Sequence, residues 1–122
     1  MSEQKIQWLN EPRDTNYPAA LSYLTLCFPA KKAKSLVKKL KVAPMMTLKA
    51  KDIFRASRLN LLGMKNKHVD KNMDKIENGE ELSPILLVRD PLSNRVIIAD
   101  GYHRLSAVYA LSEDADIPCK IV

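Results

Sequence analysis

Five consecutive residues, Pro84-Ile85-Leu86-Leu87-Val88, carry no polar side chain. A strand with one wet face alternates apolar and polar positions, whereas a strand covered on both faces reads apolar throughout. This run is read as such a doubly covered strand, so the chain needs a sheet with material packed on both sides. Asp90-Pro91-Leu92-Ser93-Asn94 follows as turn chemistry, and Arg95-Val96-Ile97-Ile98 returns as the hairpin partner. Ile117 to Val122 is β-branched and reads as a further strand, and Met46-Thr47-Leu48 as a short one.

The cover comes from helices. Tyr17 to Phe28 is richly apolar (Leu21, Tyr23, Leu24, Leu26), with Pro18 suited to a first turn, and is expected to be a buried helix. Ala30 to Lys41 places Ala33, Leu36, Val37 and Leu40 on one stripe, with Lys34, Lys38 and Lys41 facing away. Lys49 to Leu59 sets Ala50, Ile53 and Phe54 against Lys51, Arg55 and Arg58. Gly63 marks a turn. Asn66 to Asn78 carries Val69, Met73 and Ile76 inward and ends at Gly79, a suitable left-handed cap. Tyr102 to Leu111 turns Leu105, Val108 and Leu111 inward. The fold class is α+β: a helical pair in residues 1–45, packed on a small mixed sheet with further helices in residues 46–122.

At 122 residues this is one domain's worth of chain. No stretch reaches the roughly 18 apolar residues of a membrane helix, and the start shows no basic cluster ahead of an apolar run. Cys27 and Cys119 stand far apart and read as reduced thiols. A cytoplasmic protein without a membrane partner is expected.

Charge is unevenly spread. Residues 29–75 hold fourteen Lys and Arg against three acids, a net +11, while residues 76–122 hold four against eight, a net −4. Such a block attracts phosphate, from a nucleotide or a nucleic acid, or forms a solvated surface.

The most pointed local feature is Ile97-Ile98-Ala99-Asp100-Gly101-Tyr102-His103-Arg104. A strand stops, a glycine permits unusual backbone geometry, and a helix begins at once. The first amides of that helix lack intrahelical partners and sit at its positive dipole end, which makes an anion site. Arg104 offers a fork of donors for phosphate, and His103 a donor or a proton shuttle. Asp100 caps the helix or holds magnesium through water. The structural alternative is an ordinary Asp-Gly turn with Arg104 paired to Asp100 or Glu113.

The series Gly79 to Val88, then Val96 to Ala107 with its Asp100-Gly101-Tyr102-His103-Arg104 turn, then Ile117-Pro118-Cys119-Lys120-Ile121-Val122, resembles the ParB/sulfiredoxin superfamily. The resemblance spans roughly Met46 to Val122 and is most specific at the turn. It implies a ParB/sulfiredoxin-like sheet and nucleotide phosphates bound by Gly101, Tyr102, His103 and Arg104. It also implies that the preceding helix brings an exposed face to the phosphates. In this chain His68, Lys71 and Lys75 share that face, so a more highly charged anion is expected. Sulfiredoxins place their reactive cysteine where Tyr102 stands, so their chemistry is not expected. Partition proteins continue into DNA-binding and dimerisation domains and carry an arginine-rich turn, so a DNA clamp is not expected either. The Asp-Gly-x-His-Arg form is nearer the kinase-like and nuclease-like branches.

Two classes of function follow. The first is a nucleotide-dependent phosphotransferase or hydrolase using ATP or CTP with Mg2+, with His103 and Asp100 as catalytic candidates. A general base beside an acceptor hydroxyl is not identified, since Asp52, Asp70 and Asp74 sit in no known motif. No compact carboxylate cluster for two metals is seen. The alternative is a regulatory module without turnover, binding nucleotide or laying Lys34, Lys38, Lys41, Lys51, Arg55 and Arg58 along nucleic acid. Residues 1–45 are a candidate surface for a protein partner or a homodimer.

Overall fold

The computed structural model describes residues 6–59 and 67–122. In chain order the elements are β1 (Gln7–Trp8), α1 (Asn16–Cys27), α2 (Ala30–Val42), β2 (Met46–Lys49), α3 (Ala50–Ser57), α4 (Lys67–Glu77), β3 (Glu81–Leu82), β4 (Ile85–Asp90), β5 (Arg95–Asp100), α5 (Tyr102–Leu111) and β6 (Asp116–Ile121). The class is α+β. The turn expected at Gly63 lies outside the described residues.

Four strands form a mixed sheet in the order β2-β6-β4-β5. The hairpin is the one expected: β4 pairs antiparallel with β5, Leu87 opposite Ile98 and Val88 opposite Ile97. Asn94, at φ 55°, closes its turn. From the edge strand β5 the chain crosses through α5 and returns as β6, parallel to β4 on its other side.

The apolar run in β4 divides between two cores, as period-2 geometry requires. Leu86 and Val88 join Ile97 and Ala99 under α1 and α2, against Leu24, Ala33, Leu36 and Leu40. Ile85 and Leu87 face the other way, with Ile98, onto α3, α4 and α5 through Ile53, Val69, Ile76 and Leu105. Fully buried leucines of this kind each contribute about 1.5–3 kcal/mol of transfer free energy.

Two expectations of burial fail. α1 buries Asn16, Tyr17, Ala20 and Leu24, a single stripe, and leaves Tyr23 and Leu26 exposed. A helix lying on one face of a sheet has sheet on one side only, so an apolar composition all round does not bury it. Leu111 is exposed as well; it ends α5, where Ser112 turns extended and leads the chain off the core.

A smaller pairing has no counterpart in the sequence reading. β1 runs parallel to β3, Gln7 opposite Glu81 and Trp8 opposite Leu82, and the Leu9 amide donates to the Leu82 carbonyl at 2.9 Å. The polar opening segment is thereby held beside the start of β4. Lys120 fastens the same region from β6. Its buried ammonium donates to the Lys41 carbonyl at 2.9 Å and lies 3.4 Å from Glu11.

Candidate functional site

β5 ends at Asp100, and Gly101 adopts φ 111°, a left-handed conformation that a side chain resists. The helix α5 starts at Tyr102 with no side-chain cap on its first turn. The glycine is required for space as well. A Cβ there would collide with Ile85 Cδ1 and stand 3.0 Å from Arg104 Nη2. Glycine therefore lets the strand-to-helix turn lie directly against the start of β4.

Behind this turn opens a cleft of about 740 Å³. Asp100, Gly101, His103 and Arg104 form one wall, and His68, Lys71, Asn72 and Lys75 of α4 another. The α4 positions share a face because they recur every three or four residues, while Val69, Met73 and Ile76 point into the core. Left-handed Gly79 ends the helix, and the chain returns through Glu80, Glu81 and Ser83 along the floor.

The third wall comes from the opening segment. Leu9, Arg13 and Asn16 line the cleft. The Asn16 side-chain oxygen accepts from the Arg13 amide at 2.7 Å, and Arg13 Nε donates to Ser83 Oγ at 3.2 Å. Sequence reasoning missed this arginine. Its local signal is slight, an Asn three residues on that closes a turn. What brings it to the cleft is the β1–β3 pairing, which has no signature in two residues.

Several expectations are revised by this geometry. Of the two readings of Arg104, a donor for phosphate or a partner of Asp100, the structure holds the second. The Arg104 side chain is only 18% exposed and bonded within the protein. Nε donates to the Ser83 carbonyl at 3.0 Å, and Nη2 reaches Asp100 Oδ2 at 3.1 Å and the Pro84 carbonyl at 3.4 Å. The guanidinium lines the cleft while staples hold it, so its first role is to fix the turn. Asp100 is committed to that pair, and the described residues contain no group of three or more His, Cys, Asp or Glu placed to hold a metal. The residues present do not fit a magnesium ion held by the protein at Asp100. Tyr102 does not line the cleft; it packs against the larger core.

The proposed nucleic-acid stripe also divides. Lys34, Lys38 and Lys41 lie on α2, on one side of the sheet, and Lys51, Arg55 and Arg58 on or just after α3, on the other. One phosphate backbone does not run along both. Lys51 is further held to Asp114 at 2.7 Å, and Arg55 lies 3.9 Å from Asp52. Likewise α1 and α2, offered as a partner surface, lay their apolar stripes on the sheet, leaving Tyr23, Leu26 and Val42 as exposed apolar points.

Electrostatically the cleft is mixed. Arg13, Lys71, Lys75 and Arg104 meet Glu80, Glu81 and Asp100. The rings of His68 and His103 lie 4.7 Å apart, centroid to centroid. Partial burial, then the neighbouring His68 and Arg104 charges, push the His103 pKa below the usual histidine value. His103 is thus predominantly a neutral imidazole near pH 7, able to accept a proton.

No family model matches the chain, and neither a curated protein nor a solved structure matches it significantly.

Proposed function

We propose that the cleft binds a phosphate-bearing ligand, a nucleoside triphosphate such as ATP or CTP first among them. The observation that carries this reading is the convergence of Arg13, Lys71 and Lys75 on the first turn of α5, whose N-cap, Gly101, has no side chain of its own to occupy it. Lysines and arginines supply the charge, and the helix amides supply fixed donors. The likeness of the Asp100 to Arg104 turn to the ParB/sulfiredoxin pattern supports the same reading. The gripping cations shift, however, from Arg104 to Arg13 and the α4 lysines, because Arg104 is already paired.

The chemistry this arrangement allows is phosphoryl transfer or hydrolysis. His103, neutral near pH 7, accepts the proton of an attacking hydroxyl or water, while Lys71 and Lys75 stabilise charge on the phosphate. Any magnesium is carried by the phosphates, since Asp100 belongs to Arg104.

Calorimetric titration with ATP, CTP and GTP, with and without magnesium, tests the binding. Saturable heat with at least one nucleotide is expected, lost in the Lys71→Glu/Lys75→Glu double variant. Absence of heat with all three ends the nucleotide reading. Phosphate release in the same samples separates an enzyme from a module that binds without turnover.

A further inference from the structure

We infer that this cleft is proton-linked: filling it with a dianion draws a proton onto the His68–His103 pair, so it holds its ligand more tightly as the solution becomes mildly acidic. The inference rests on the anion-binding reading above and concerns how that site is regulated.

The two imidazoles come from separate helices and meet in the cleft, ring centroids 4.7 Å apart and planes inclined at 49°. The charged groups around them come from every wall. α4 adds Lys71 and Lys75, the segment before α1 adds Arg13, and α5 adds Arg104 in its pair with Asp100 of β5. Glu80 and β3's Glu81 complete the floor. Among the described lining residues, four cations against three carboxylates leave a sum of +1 while both histidines are neutral. Protonating both raises that sum to +3, so among the described residues the histidines change the balance more than any other group does.

Without a ligand His103 resists that charge. Two adjacent imidazolium rings repel each other, and Arg104 stands beside them. Partial burial adds to the penalty, and His103 accordingly titrates below the ordinary histidine range. An anion between the helices opposes the electrostatic part of this, because a nearby negative charge favours the imidazolium form. Linkage is reciprocal: a ligand that raises a histidine pKa by one unit binds about tenfold more tightly to the protonated cleft. Of the side-chain types among the described lining residues, histidine is the one whose reference pKa falls between about pH 5.5 and about pH 8, so the histidines are the groups to test for pH dependence in that window.

Sulfate is the suitable probe, since it remains a dianion throughout this window, whereas a phosphate ester changes its own charge there. Its affinity is measured by NMR titration at about pH 5.5 and about pH 8, and the imidazole Cε1–H resonances are titrated with and without it. The expected result is binding about tenfold tighter at the lower pH, with the His103 pKa raised by sulfate. His103→Gln and His68→Gln are each expected to shrink the ratio of the two affinities, a readout that a merely weakened fold does not mimic. Sulfate bound equally at both pH values, or a His103 pKa unmoved at saturation, overturns the linkage and leaves the anion site standing. Sulfate bound at neither pH overturns both.

Discussion

Arg104 reaches back one helical turn to Asp100, Nη2 to Oδ2 at 3.1 Å, with both side chains more than four-fifths buried. The same guanidinium takes the Ser83 and Pro84 carbonyls, so one residue joins the end of β5, the start of α5 and the entry to β4. Truncating it would leave a carboxylate and two carbonyls without their donor. Arg104→Ala is therefore expected to lower unfolding free energy by about 2–3 kcal/mol. Urea denaturation measures this. A variant as stable as the parent would mean the guanidinium is held for a ligand and not for the turn.

Gly101 answers two demands at once. Alanine at φ 111° is strained, and its methyl group would meet Ile85 at the base of the turn. Together these are expected to cost about 2–4 kcal/mol. Gly79 makes the internal control: its φ of 74° is also left-handed, yet a Cβ there meets nothing within 4 Å. Gly79→Ala should thus cost clearly less than Gly101→Ala. Equal losses in thermal denaturation would show that the Ile85 contact does not matter.

These two residues also mark how far the sequence could be read. α5 spans Tyr102 to Leu111, the range expected from the strand–glycine–helix punctuation, because the signal is local and each part enforces the next. The stripes of α2, α3 and α4 were equally legible, being periodic within one element. What was hidden depends on residues far apart in the chain. Arg104 is spent on carbonyls twenty residues earlier. Arg13 enters the cleft through a strand pair two residues long. The cations of α2 and α3 look continuous in sequence until a sheet stands between them.

Ser106 lies on the fully buried face of α5, and its hydroxyl is without a hydrogen-bond partner among the described residues. Burying an unsatisfied hydroxyl opposes folding, and alanine fills nearly the same space with a better helix former. Ser106→Ala is expected to stabilise the chain by about 1 kcal/mol. Destabilisation on chemical denaturation would reveal that the hydroxyl is bonded after all.

His103 sets a pH dependence of stability even without a ligand. Its native pKa lies below the value of about 6.5 that it has in the unfolded chain, with burial as the first cause. Above about pH 7 neither state carries the proton, and the group contributes nothing to the balance. As pH falls through about 6.5 the unfolded chain protonates first, so the native state loses ground until its own pKa is passed. Asp114, held below its ordinary value by the bond and charge of Lys51, loses its contribution only under stronger acid, so it does not mask this window. The melting temperature is expected to decline modestly between about pH 7.5 and about pH 5.5, and less in His103→Gln than in the parent. A parent whose melting temperature holds or rises on acidification would show that His103 is not kept neutral, and the balance of charge around the two rings would have to be redrawn.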